Sequence, residues 1–148
     1  VKRFGPSWVN RTIVGIVLAT FFSDCGHELS TAVLPLYLTA IGHGPEALAL
    51  IEGVADFLVS LSKLVGGLLG HVVRRKQALV AVGYLITAAA TGALGLVRSV
   101  PALVALRSLA WIGRGYRGPL RDALLSDAVE NTHYGRAFGL ERTGDMLG

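Results

Sequence analysis

Two apolar runs, residues 13–22 and 29–41, meet at a polar knot that holds Asp24, His27 and Glu28. Each run, at about 10 to 13 residues, falls short of the roughly 20 needed to cross a bilayer. Joined through the knot, they make one span with charge near its middle. At helical spacing, Thr20, Asp24, His27, Glu28, Thr31 and Pro35 share one side of that span. An ionised carboxylate at the bilayer centre costs roughly 2.5–3.5 kcal/mol even on lenient insertion scales. Two of them facing lipid would not be tolerated. The stripe is therefore expected to face other helices or a wet cavity, or to carry protons. The chemistry of the chain is expected there.

Composition agrees with a bilayer as the solvent. Of 148 residues, 52% are hydrophobic and 16% charged, against about 25% charged in ordinary soluble domains. The 19 glycines suit helices that pack closely in lipid. The net charge of +4 sits in short links between apolar spans, which is a topology signal, and nucleic acid is not an expected partner. Cys25 is the only cysteine, so an intrachain disulfide and a Cys-based zinc site are excluded. Lys2, Arg3 and Arg11 ahead of an apolar run imitate a signal peptide. No clean small-x-small cleavage site follows, and the helical pattern continues past Glu28 to Tyr37.

The pattern predicts an all-α membrane domain with four transmembrane spans, at about residues 11–41, 46–70, 77–97 and 101–120, and a fifth helix starting near residue 135. Gly42-His43-Gly44-Pro45 is a turn by composition. Span two carries Glu52, Asp56, Ser60 and Lys63 in one sector with Gly67, while span three has no charge. Span four carries Arg107, and Arg114 and Arg117 are expected to snorkel to its surface. Residues 121–134 are polar and read as a loop with an amphipathic turn or two. If the N-terminus is cytoplasmic, the inside segments hold Lys2, Arg3, Arg11, Arg74, Arg75, Lys76, Arg114, Arg117, Arg121 and Arg136, and the outside turns hold only Arg98. That asymmetry predicts the N-terminus inside.

Several short patterns invite enzymatic readings and fail. Gly113-Arg114-Gly115-Tyr116-Arg117-Gly118 spells a dinucleotide fingerprint, but Pro119 follows at once and no strand precedes it. The glycines are better read as close backbone contacts at a flexible helix end. His27-Glu28 lacks the second histidine of a zinc protease, since that position is Thr31. Asp24, His27 and Glu28 still converge on one face. Proton or solute handling is the favoured reading, ahead of a cation site or a plain interhelical network. Arg107 cannot realistically lose its proton and must find carboxylates, carbonyls or water. By depth Asp56 is its nearest candidate partner, with Glu28 or Asp24 reachable across a cavity. Four intramembrane acids (Asp24, Glu28, Glu52, Asp56) face two bases (Lys63, Arg107), so at least one acid is expected to hold a proton. No metal, cofactor or enzymatic site is expected.

Longer motifs carry a resemblance. The link from Gly66-Gly67-Leu68-Leu69-Gly70 through Arg74-Arg75-Lys76 resembles the cytoplasmic signature between the second and third helices of major facilitator superfamily transporters. Arg107 and the glycines that follow it are similar to the superfamily's fourth-helix motif. Residues 114–127, with Arg121-Asp122-Ala123-Leu124-Leu125, and then Gly135-Arg136-Ala137-Phe138-Gly139-Leu140 resemble the loop into a fifth helix in a bacterial branch. Asp24, Glu28 and Leu34-Pro35-Leu36 resemble that branch's first helix.

The resemblance implies twelve helices in two six-helix halves that move a solute by alternating access. The chain is then expected to be the N-terminal fragment of such a carrier, in the inner or plasma membrane, with lipid, a small solute, protons and the remaining helices as partners. Asp24, His27, Glu28, Asp56 and Arg107 are the implied solute and proton pathway. Gly66, Gly70, Arg74, Arg75, Lys76, Arg114, Arg117, Arg121 and Asp122 are the implied cytoplasmic gate. Gly70 stands where the signature has Asp, and His71 where a basic residue is usual, which removes the acid of the family's gate ion pair. The competing class is a non-transporting membrane module or degenerate facilitator fragment acting in assembly.

Overall fold

The structure, a computed structural model, describes residues 8–148, without the side chain of His71. Lys2 and Arg3 lie outside the described residues. Five α-helices follow one another: α1 Arg11–Ala40, α2 Pro45–Val72, α3 Lys76–Ala93, α4 Val100–Asp127 and α5 Tyr134–Leu147. Single 3-10 turns, Leu94–Leu96 and Asn131–His133, follow α3 and precede α5. No strand occurs among the described residues.

Local chemistry sets the boundaries. Asn10 caps α1 by accepting the Ile13 N–H at 3.0 Å, and its side-chain amide donates to the Ala128 carbonyl at 2.7 Å. One residue thus starts α1 and ties it to the end of α4. Gly42 takes φ +85° in the turn before Pro45, which opens α2. Pro101 sits in the first turn of α4.

The fourth helix corrects two expectations. It runs on to Asp127 rather than ending near residue 120, so residues 121–127 are helix and not loop. Leu125 is buried there against Ile13, Ile16 and Ala137, and this packing carries the helix through a polar sequence. The Gly113–Gly118 stretch therefore lies inside a helix, not at its flexible end. Two of its glycines, Gly113 and Gly115, do make close contacts. A Cβ on Gly113 would stand 3.1 Å from the Gly83 carbonyl of α3, and one on Gly115 would stand 2.9 Å from the Val59 carbonyl of α2. Gly66 of α2 meets the backbone of Tyr116 in the same way, with the Tyr116 Cα 2.7 Å from where a Cβ would be.

Short links make α1 to α4 alternate in direction. α4 packs most extensively on α2 and α3, α5 lies along α1, and α1 and α4 share few close backbone approaches. Apolar clusters close both ends of α1. Leu34 and Leu38 pack with Ala47, Ile51, Leu94 and Leu103 at one end, and Ile13 and Ile16 pack with Leu125 and Ala137 at the other.

Two helices, Arg11–Ala40 and Lys76–Leu96, are long and apolar enough to cross a membrane. Large apolar side chains also point outward on three helices: Phe22 is 68% exposed, Phe57 70% and Leu85 70%. Water would penalise so much exposed apolar surface, whereas lipid accepts it.

Candidate functional site

The buried stripe of α1 runs Ile13, Ile16, Thr20, Asp24, His27, Leu34 and Leu38. Three polar residues occupy its middle, between the two apolar clusters. Glu28 and Pro35 share the predicted side by sequence but are exposed. Each residue advances about 100° around a helix, so Glu28 sits one step past His27 and leaves the interface. The same step separates the buried stripe of α2 (Ile51, Ala55, Val59, Ser62) from Asp56, Ser60 and Lys63, which are exposed.

Opposite the α1 stripe, α4 presents Arg107, Trp111, Arg114, Arg117 and Arg121. The two helices run in opposite directions, so their side chains meet in a ladder. At one end, Arg107 is fully buried; its Nη2 donates to Thr31 Oγ1 at 2.8 Å and lies 2.9 Å from Glu52 Oε1. Asp56 is not its partner. Glu52 stands one helical turn nearer the start of α2, level with Arg107 where α2 and α4 run in the same direction, while Asp56 lies on the exposed face.

The next rung is aromatic. The Trp111 ring meets His27 edge-on at 4.5 Å, with the Arg107 and Arg114 guanidiniums 5.5 and 5.9 Å from its centre. Such stacking is worth about 0.5–2 kcal/mol per cation, more where water is excluded. Arg114 Nη1 then lies 2.6 Å from Asp24 Oδ1. The contact is an ion pair rather than an aligned hydrogen bond, since neither Asp24 oxygen meets hydrogen-bond geometry. Both residues stand near the midpoints of their helices.

Arg117 is 2% exposed. It donates to Ser23 at 3.1 Å and lies over the Tyr84 ring of α3 at 3.8 Å. Tyr84 shares a 3.0 Å hydrogen bond with Thr20. At the far end, Arg121 donates to Thr20 at 3.2 Å and pairs with Glu141 of α5 at 2.8 Å, Glu141 being 1% exposed. Asp122 and Asp145 lie 3.6 and 3.9 Å from Arg121. Arg117 thus does not snorkel; side chains from two other helices, α1 and α3, hold it. Arg114, Arg117 and Arg121 are helix-interior residues, not loop charges, and leave the orientation tally. Arg11, Arg74, Arg75, Lys76 and Arg136 still outweigh Arg98.

Beside the ladder a cleft of ≈ 340 Å³ opens between α1, α2, α4 and α5. Asp24, Asp122 and Asp145 line it together with basic residues. The predicted gate residues are more dispersed. Arg74 and Arg75 are exposed, Gly70 faces Ala123 at ordinary contact distance, and Lys76 pairs with Asp127 at 2.6 Å. The sequence places no acid at the signature position, so the tie between this link and α4 comes from the start of α3 instead.

Sequence reasoning missed Trp111, Glu141 and Asp145. The signal was there. Arg107, Arg114 and Arg121 recur every seven residues, and Glu141 and Asp145 are four apart on a helical segment. Among the described residues, no group of three or more His, Cys, Asp or Glu stands close enough to hold a metal.

Residues 16–148 match the family model described as Major Facilitator Superfamily. The chain is 28% identical, over 95% of its length, to an uncharacterized MFS-type transporter of Methanocaldococcus jannaschii, covering 35% of that protein. It is also 28% identical, over 96% of its length, to uncharacterized proteins of Mycobacterium bovis and Mycobacterium tuberculosis, covering 34% of each. The chain thus spans about a third of the length of the curated relatives it matches. No solved structure matches it significantly.

Proposed function

The chain belongs to the Major Facilitator Superfamily, and from that premise we propose that it is the N-terminal part of a secondary transporter whose pathway runs along the α1/α4 ladder. Four helices would cross the membrane, α5 would begin a fifth, and α1 would start on the cytoplasmic side. The observation that carries the reading is the Asp24–Arg114 pair at mid-helix depth, its carboxylate buried and its guanidinium half-buried beside the cleft, between apolar clusters at both ends of α1. Charges held at that depth are costly to keep, and such groups commonly mark proton or solute paths.

The proposed cycle couples protonation to access. A proton on Asp24 would loosen Arg114, and the freed guanidinium would favour the other open state. Glu28 and Asp56, exposed on the polar sectors of α1 and α2, would border the cavity that the remaining helices close. Lys76–Asp127 and the basic link would form part of the inner gate. The solute is small, and coupling is to protons.

Reconstituting the full-length protein in liposomes tests this. Asp24→Asn, Glu28→Gln and Asp56→Asn, made one at a time, are expected to include at least one variant that loses pH-gradient-driven flux. Wild-type coupling in all three would refute the proton pathway. No flux of any kind in the wild type would favour the non-transporting module.

A further inference from the structure

The ladder has one cation whose partner is missing. Arg107 has Glu52, Arg114 has Asp24 and Arg121 has Glu141, each within 2.9 Å. Among the described residues, Arg117 alone of these four has no carboxylate within 4.0 Å. A serine hydroxyl and an aromatic face hold it, and its Nε has no hydrogen-bond partner. A buried guanidinium in that state is poorly compensated.

Arg117 also forms part of the wall of the ≈ 340 Å³ cleft. There Lys63, Arg114, Arg117, Arg121 and Arg142 face three carboxylates. Setting buried Glu141 against Arg121 still leaves positive charge in excess. A volume of this size admits a small organic molecule or an oxyanion but not a large amphiphile.

We infer that this cleft is an anion site, and that the solute it takes is a small anion carrying a carboxylate or phosphate group. The inference rests on the transporter reading and adds the class of solute to it. The anion would supply the counter-charge that Arg117 lacks. Guanidinium forks suit both groups, because two N–H donors match two oxygens. Arg142, 66% exposed on the rim, and Lys63 on α2 would draw the anion in.

The test is calorimetric titration of the full-length protein in phosphatidylcholine nanodiscs, with succinate, inorganic phosphate and choline as probes and no ion gradient. At least one of the two anions is expected to bind saturably, and choline is not. Arg117→Gln is expected to weaken that binding at least tenfold, Arg117→Lys less, and Arg98→Gln at the opposite end of the bundle not at all. Arg142→Gln, at an exposed position whose 3.0 Å pair with Asp145 lies at the rim, is expected to weaken it several-fold even if the Arg117 variants misfold.

Binding of choline alone, or anion binding that survives both Arg117→Gln and Arg142→Gln, would overturn the assignment. So would the absence of anion binding, the result expected if a carboxylate elsewhere in the full-length protein neutralises Arg117. Repeating the titration with phosphatidylglycerol in the nanodisc separates free solute from lipid headgroup. Unchanged affinity supports a soluble anion, and lost binding hands the site to lipid and overturns the solute assignment. Since no gradient is applied, anion binding without flux would sink the transport reading and leave this one standing. Flux with no anion binding would do the reverse.

Discussion

The two sides of α4 are built by opposite rules. Toward α2 and α3 it presents glycines, and backbones approach until a single Cβ would not fit. Toward α1 it presents four arginines and a tryptophan, and side chains bridge helices whose backbones share few close approaches. Close backbone packing in lipid is held by dispersion and has one geometry. A charge-bridged interface can exchange partners, take up a proton or admit a solute. The same helix therefore serves as the spine of a rigid three-helix slab and as the wall of a polar seam.

The comparison can be broken at four points. The largest effect is expected from Arg121→Met, which strands Glu141 in the interior. Removing one partner of a buried pair costs about 3–5 kcal/mol, read as lost stability of the full-length protein in detergent. Adding Glu141→Met is expected to recover most of it. A silent single variant would mean that charge does not hold the seam.

Next comes the slab. Gly66→Ala drives a Cβ into the backbone of Tyr116 and is expected to cost about 1–3 kcal/mol, with no dependence on salt. Gly118, with nothing within 4 Å of its would-be Cβ, supplies the contrast: Gly118→Ala is expected to be stabilising by about 0.5–1 kcal/mol. Equal effects at the two glycines would erase the distinction between the faces of α4.

Thr31→Val removes a hydroxyl that accepts from Arg107 and is expected to cost about 1.5 kcal/mol in the same unfolding measurement. The smallest effect is expected from Lys76→Ala. Its partner Asp127 is 61% exposed, so the loss should stay below about 1 kcal/mol and vanish in high salt.

Much of this was legible in the sequence. Periodicity placed the starts of all five helices close to where they are observed but not the end of the fourth, and the polar knot at Asp24 and His27 lies on the buried side. Errors of one residue in angular position decided the rest. Glu28 and Asp56 stand a single step around the helix from buried neighbours, and hydropathy does not resolve 100°. Arg117 was misplaced for a different reason. Its partners, Ser23 and Tyr84, come from two other helices, and nothing local announces them. Residues 121–127 read as loop because their composition is polar, yet packing of Leu125 on α1 and α5 overrides propensity there.

The central claim is that the charges at mid-helix depth border a wet polar interior while the flanking apolar faces meet lipid. Thiol accessibility tests it most directly. In a Cys25→Ser background, single cysteines would replace Glu28, Asp56 and Lys63 on the polar sectors, and Phe22, Phe57 and Leu64 on the apolar ones. A membrane-impermeant thiol reagent is expected to modify the first three in the reconstituted full-length protein and to spare the last three. Equal labelling of the two sets, or labelling of the apolar set alone, would contradict the account.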